Sequence, residues 1–311
     1  MRIVFMGTPD FALESLKAVY EAGEEVVGVV TQPDKPRGRG YVLTPPPVKV
    51  YAESRGIPVF QPTTLKNGVF DETLCRLDPE LIIVVAYGKI LPKSVLDYPK
   101  YGCVNVHGSL LPALRGAAPM QRAIMDGLDV TGITTMYMAE GLDTGDMLLR
   151  AEVPIEENDN FETVHNKMAS CGAGLLLSTI QGLRAGAITP EPQNNALATY
   201  AAKIEKDDCL IDFSRPARAV HDRIRALSPM PLAFTHMPDG KLLKVPAAHM
   251  GDRSGASLAA PGTVISLSDG IEVACQSGSV VLATVTPEGK KSMAAKDFIN
   301  GRKIHVGDVL M

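Results

Sequence analysis

Asn105 and His107 stand two residues apart in the run Cys103-Val104-Asn105-Val106-His107-Gly108. Alternate side chains of an extended strand share a face, so the amide and the imidazole project together while Val104 and Val106 bury on the other side. An amide can donate to a developing oxyanion, and an imidazole can carry a proton or donate a second hydrogen bond. In open α/β sheets ligands bind at the carboxyl ends of strands, which is where this pair stands. A buried polar pair that only satisfies a loop backbone would show the same pattern. A carboxylate comes from the glycine-bracketed loop Glu140-Gly141-Leu142-Asp143-Thr144-Gly145-Asp146, in which Asp143 and Asp146 both qualify. Such a group can orient an imidazole and raise its pKa, although an aspartate capping its own turn is the plainer reading of either residue alone. Asn, His and Asp together suit acyl-type transfer.

A second unusual tract runs from Thr31 through Lys35, Arg37 and Arg39 to Lys49, with Gly38, Gly40 and the prolines 33, 36 and 45–47. Glycine makes it mobile and proline denies it regular structure, while its basic side chains suit an anionic substrate. Other chemistries lack their spacing. Gly7-Thr8-Pro9-Asp10-Phe11-Ala12 has one glycine where a dinucleotide fingerprint needs three, and no phosphate-binding G-x-x-x-x-G-K-[ST] occurs. The six histidines show no paired-ligand spacing, so no metal is expected. Ser109 lacks the G-x-S-x-G elbow of a serine nucleophile.

The elements that must position these groups follow from apolar periodicity. Residues 3–6 form an all-apolar strand, Phe11, Leu13, Leu16, Val19 and Tyr20 repeat at helical spacing, and residues 26–30 form a second strand. Strand, helix, strand with apolar strands indicates a parallel sheet covered on both faces. Further strands are expected at 59–60, 81–86, 102–107 and 132–138, with a hairpin partner at 147–154, and helices at 48–55, 70–76 and 119–125. Asp159 and Glu162 have capping-box spacing for a long helix reaching about residue 183. The Pro- and Asn-rich segment beginning at Thr189 reads as a linker. After a helix at 216–226, short apolar segments at 242–247, 262–267, 271–274 and 280–285 have the spacing of a small antiparallel barrel. The expected division is therefore a domain over 1–188, a linker over 189–206 and a β-barrel domain over 207–311.

A chain of 311 residues is long enough for two domains, and 45% apolar with 21% charged residues is a globular balance. Five cysteines without C-x-x-C argue against a disulfide framework and point to the reducing cytoplasm. No apolar run approaches a membrane span and no signal-peptide stretch is seen. Residues 1–200 carry 17 basic and 23 acidic side chains, and the remainder carry 14 and 12, giving −6 and +2 within the total of −4. A general nucleic-acid binder is excluded by this balance, but a weakly basic second domain can help to dock an RNA.

The segments Phe5-Met6-Gly7-Thr8-Pro9-Asp10-Phe11, Thr31-Gln32-Pro33-Asp34-Lys35-Pro36, Gly38-Arg39-Gly40, Asn105 to Pro112, Arg115-Gly116-Ala117-Ala118-Pro119 and Gly141 to Asp146 resemble the tRNA-acting branch of the folate-dependent formyltransferases over nearly the whole chain. The resemblance implies a Rossmann-like parallel-sheet formyltransferase domain followed by a small OB-like C-terminal β-barrel. It implies 10-formyltetrahydrofolate as formyl donor and the amino group of initiator methionyl-tRNA as acceptor, in support of translation initiation, by a cytoplasmic monomer without a metal or membrane partner. By motif match Asn105, His107 and Asp143 would be catalytic, with Asp143 keeping the imidazole protonated. Tyr87, Gly88, Ile90, Leu91, Ser109, Leu110, Leu111 and Pro112 would bind folate, and Arg37 and Arg39 would bind tRNA. Tyr41, Ala113 and Met230 depart from the pattern. A formyltransferase for amino sugar nucleotides is the alternative enzyme, and a non-catalytic RNA-binding protein the alternative of another class.

Overall fold

The structure is a computed structural model that describes all residues except 38–39, 67 and 253–258. The elements of the first 185 residues are β1 (Arg2–Gly7), α1 (Asp10–Glu21), β2 (Glu25–Val30), β3 (Lys35–Arg37), β4 (Val42–Thr44), α2 (Pro47–Ser54), β5 (Val59–Phe60), α3 (Asp71–Leu77), β6 (Leu81–Val85), α4 (Lys93–Leu96), β7 (Cys103–His107), β8 (Arg115–Gly116), α5 (Pro119–Met125), β9 (Val130–Tyr137), β10 (Met147–Pro154) and α6 (Phe161–Ala185). Contacts divide the chain into two compact units. One comprises 1–116, 130–154 and 165–200; the other comprises 117–129, 155–164 and 201–311. The first unit thus extends beyond residue 188, and two short segments that precede it, 117–129 and 155–164, group with the second unit.

The first unit is built on a seven-stranded sheet in the order β10-β9-β7-β6-β1-β2-β5. Its strands β7, β6, β1, β2 and β5 are parallel, and β9 and β10 complete it antiparallel. Both faces of the central strands are dry: Val4, Met6, Ile82 and Val84 point into one core, and Ile3, Phe5 and Ile83 are equally buried. Such all-apolar strands need cover on both sides, and α1 supplies part of it through Phe11, Leu16 and Val19. Gly7 permits the turn into α1, since a Cβ there would lie 2.7 Å from that of Ala12 and 3.0 Å from the Val85 carbonyl. The chain order reverses direction at β1/β6, so the carboxyl ends of β1 and β6 border the crevice that such sheets offer to ligands, and β7 ends next to β6 on the same edge.

Two local expectations are corrected. The tract from 31 to 49 is not wholly irregular, because Lys35–Arg37 and Val42–Thr44 pair as an antiparallel hairpin, with Pro36 opposite Leu43. Proline is tolerated at such an edge because half of an edge strand's backbone donors face away from its partner. The cap of α6 is reciprocal between Asn160 and Thr163, whose side chains each bind the other's backbone N–H at 3.0 Å, and not between Asp159 and Glu162.

In the second unit Ala233–His236, Leu242–Met250, Ser279–Pro287, Ile271–Ala274 and Val264–Ser266 form an antiparallel sheet in that order, with Met293–Ala294 added to Ser279–Pro287. It is a half-barrel whose open side is spanned by the chain's last residues. The Val264 N–H donates to the Asp308 carbonyl at 2.8 Å, Leu310 N–H to Gly262 at 2.9 Å, and His236 N–H to Met311 at 2.7 Å. The core combines Leu243, Val245, Val273, Val280 and Leu282 with Val220, Ile224 and Leu227 of the helical segment α7 (Ala217–Ala226) and the residue after it. No helix among the described residues is long and apolar enough to cross a membrane.

Candidate active site

At the end of β7 the side chains of Asn105 and His107 do lie on one face, as the alternation requires. Asn105 is half-buried, and its amide has no hydrogen-bond partner among the described residues. His107 is buried, with Nε2 3.1 Å from the Leu114 carbonyl and Nδ1 3.6 Å from Asp143 Oδ2. Because β9 runs antiparallel to β7, the loop that follows β9 leaves beside Val104, and it returns Asp143 to the imidazole. Asp143, and not Asp146, is therefore the carboxylate brought to His107; Asp146 gives its backbone carbonyl to the Tyr137 N–H at 2.9 Å.

One tripeptide serves both partners. The Leu114 carbonyl takes Nε2–H of His107, and the Gly116 N–H donates to Asp143 Oδ2 at 2.8 Å. Leu114 adopts φ 57°, a left-handed conformation costing a leucine about 1–2 kcal/mol. It is held there by Thr199, whose hydroxyl oxygen accepts from the Leu114 N–H at 2.8 Å and whose carbonyl accepts from the Arg115 N–H at 2.9 Å.

The protonation state differs from the expectation that Asp143 keeps the imidazole charged. Burial pushes the His107 pKa below the ordinary imidazole value; Asp143 and the Leu114 carbonyl oppose this, and the charge of Arg115 adds to the fall. The resting ring is therefore neutral near pH 7. Its one hydrogen belongs on Nε2, where the carbonyl is within hydrogen-bond distance, so Nδ1 carries a lone pair toward the carboxylate. A proton arriving at Nδ1 would find both ring nitrogens facing acceptors. Such an arrangement can accept a proton, hold the imidazolium beside a carboxylate, and offer the Asn105 amide to a developing oxyanion.

The residues expected at a folate pocket fall into different settings. Tyr87 and Leu91 are core residues behind β6, the Tyr87 hydroxyl finding no partner among the described residues and burial pushing its pKa up to about 12. Gly88 has φ 80° and faces the Gln32 amide, which donates to the Tyr87 carbonyl at 3.0 Å. Ile90 is 81% exposed. Ser109 donates to the Ala113 carbonyl at 2.6 Å, and Thr134 on β9 braces the same turn by donating to the Ser109 carbonyl at 2.7 Å and accepting from the Leu111 N–H at 3.0 Å. Leu111 is buried against Met136 and Met147, while Leu110 and Pro112 are half-buried. Backbone and apolar surface, more than free hydroxyls, are what these segments present.

Arg39 lies outside the described residues, and Arg37 ends the first hairpin strand. Lys49 is committed within the unit, to Asp34 at 2.9 Å and Gln61 at 2.9 Å. Tyr41, Val42 and Leu43 are exposed on the hairpin. Thr199, Thr134 and Gln193 carry no mark in the sequence as parts of the site's frame. Each acts through hydrogen bonds to residues distant in the chain, and no local spacing announces them.

Residues 1–180 match the family described as Formyl transferase, and residues 203–303 match the formyl transferase C-terminal domain. A methionyl-tRNA formyltransferase of Citrifermentans bemidjiense is 50% identical over 311 residues, covering 100% of this chain and 96% of its own. Its counterpart in Bacillus subtilis is 48% identical over 311 residues, covering 99% and 97%. Among solved structures, an N-formyltransferase from Helicobacter canadensis in complex with folinic acid and dTDP-3-aminofucose has a TM-score of 0.70 at 18% identity, covering 91% of this chain and 98% of the other. A methionyl-tRNA formyltransferase from Clostridium thermocellum has a TM-score of 0.56 at 19% identity, covering 81% and 94%. These structural likenesses establish a shared fold. With near-half identity along its whole length and both family domains in order, the chain belongs to the formyl transferase family.

Proposed function

We propose that this chain transfers the formyl group of 10-formyltetrahydrofolate to the α-amino group of methionyl-tRNA. The observation that carries the reading is the unpartnered Asn105 amide beside the His107–Asp143 pair, at the carboxyl end of a parallel strand. The donor supplies an activated formyl carbon. As the amine nitrogen bonds to that carbon, negative charge gathers on the formyl oxygen, and Asn105 stabilises it by donating a hydrogen bond. The amine must lose a proton; His107 Nδ1 accepts it, and the imidazolium so formed is held by Asp143 on one side and the Leu114 carbonyl on the other. Cleavage of the bond between the formyl carbon and the folate nitrogen completes the transfer, and the proton passes to that nitrogen. Asp143 thus acts on a charge that arises during the reaction.

The turns at 87–91 and 109–112 would receive the folate, with Gly88, Ile90, Leu110 and Pro112 presenting surface and Tyr87, Leu91, Ser109 and Leu111 shaping it from behind. Arg37 and Arg39 would meet the phosphates of an initiator tRNA, and the weakly basic C-terminal domain would add contacts. We place the reaction in the cytoplasm, performed by a monomer at the start of translation.

The test is incubation with 10-formyltetrahydrofolate and, in separate reactions, methionylated initiator tRNA or an amino sugar nucleotide. Formylated methionyl-tRNA is the expected product. Formylation of the sugar alone would overturn the reading of the acceptor.

A further inference from the structure

The side chain of Gln193 bridges two elements of the site. Its amide nitrogen donates to the carbonyls of Asp143, at 2.8 Å, and Gly145, at 2.7 Å. Its amide oxygen accepts from Nε of Arg115 at 3.0 Å and from Nη2 at 2.7 Å. Both amide hydrogens are thereby used, one on each side of Thr144, and the oxygen is used on the guanidinium. The amide cannot turn over, because a reversed amide would set donor against donors and acceptor against acceptors.

Arg115 makes this arrangement unusual. Its side chain is 2% exposed, yet among the described residues no carboxylate pairs with it; besides Gln193 its only side-chain partner is Asn195 Oδ1, 2.9 Å from Nη2. A buried guanidinium is costly to leave without a counter-charge. If position 193 served only to satisfy Arg115, a glutamate would serve it better. What glutamate cannot do is donate to the two carbonyls of the loop. Those carbonyls flank the tip that presents the Asp143 carboxylate, a tip in which Asp143 itself has φ 50° and a Cβ on Gly145 would overlap the Tyr137 carbonyl.

We infer that Gln193 is a positioning residue: clamped by Arg115, it holds the main chain of residues 143–145 so that the Asp143 carboxylate stands beside His107 Nδ1. The inference rests on the reading of His107 and Asp143 as the reacting pair. It gives a part in the reaction to a segment whose composition suggests only a linker.

The discriminating variant is Gln193→Glu in the full-length protein, with Gln193→Leu and Asp143→Asn measured alongside. Glutamate keeps the size of the side chain and gives Arg115 a carboxylate, but it turns acceptors toward the two carbonyls. The expected result for Q193E is a melting temperature at or above that of the wild type, KM for methionyl-tRNA and for 10-formyltetrahydrofolate within about two-fold, and kcat lower by about 30- to 100-fold, the size of a misplacement near 1 Å. Q193L should be as slow and should also melt earlier, because it leaves Arg115 unsatisfied. A folded Q193E with kcat within three-fold of wild type would overturn the inference, as would a loss confined to KM. If Q193E does not fold, the same limits on kcat and KM apply to Q193L. A fully active D143N would instead overturn the reading of the pair, whereas a slow D143N beside a fast Q193E would remove only the role given to Gln193.

Discussion

Asp143→Asn isolates the charge of the carboxylate from its shape. The asparagine oxygen can still accept from the Gly116 N–H, so the loop keeps its hydrogen bond. What is lost is the attraction between a negative carboxylate and the imidazolium that forms as the amine gives up its proton. At the 3.6 Å separation, two unit charges attract by about 4–5 kcal/mol in an effective dielectric of about 20. The Asp143 side chain is 18% exposed, so water already screens part of this. A loss of about half, 2–3 kcal/mol, corresponds to about 30- to 150-fold in kcat. The assay is single-turnover formylation of methionyl-tRNA at saturating folate, paired with an NMR titration of His107. Asp143 raises the His107 pKa against the pull of burial, so its removal must move that pKa further down, and the acidic limb of kcat/KM must move to lower pH with it. A D143N enzyme with kcat within three-fold of wild type, or an unmoved His107 titration, would refute the charge-stabilising role.

Asn105→Ala should lower kcat by about 100- to 1,000-fold, the usual cost of one oxyanion donor, with an unchanged circular dichroism spectrum as the folding check. Arg39→Ala should raise KM for tRNA, leave folate binding unchanged, and reduce the slope of log affinity against log salt by about one, measured over a salt series. Gly145→Ala places a methyl group against the Tyr137 carbonyl; thermal denaturation should show a loss of about 1–3 kcal/mol, accompanied by loss of transfer activity. Asp208→Asn tests the second unit, where hydrogen bonds from Arg122 hold the Asp208 carboxyl below its ordinary value. Its contribution of about 1 kcal/mol should be present above the unfolded carboxylate value of 3.8 and vanish as pH falls through the lower folded value, so wild-type and D208N melting temperatures should converge in acid.

Much of the fold was legible because its signals are local. Apolar runs of five or six residues separated by amphipathic helices specify buried parallel strands, and the two-residue period put Asn105 and His107 on one face without reference to anything distant. Within single segments, competing local chemistry shifted the outcome: the α6 cap moved by one residue to Asn160 and Thr163, and a proline-rich tract still closed a three-residue hairpin. The half-barrel was visible as a pattern of short strands, but not the role of residues 308–311 in spanning its edges, because backbone pairing across such a separation leaves no mark in side-chain type.

Residue types and spacing by themselves determined which groups could react: an amide and an imidazole on one strand, two candidate aspartates in one glycine-bounded loop, and no spacing for a metal or a dinucleotide. Residue types and spacing left Asp143 and Asp146 equal and only the family motif favoured Asp143; the physical reason lies in the tertiary structure, where the Gly116 N–H and the packing of Gly145 against Tyr137 bring Asp143 to the imidazole. Tertiary structure also decided the charge of His107, because desolvation is a property of everything packed around the ring and here outweighs the neighbouring carboxylate. Gln193, Asn195 and Thr199 look like linker residues by composition, and hydrogen bonds reaching back to residues 114, 115, 143 and 145 make them part of the site's frame. Local sequence reports propensity and periodicity, whereas burial and long-range hydrogen bonding exist only once distant segments have been brought together.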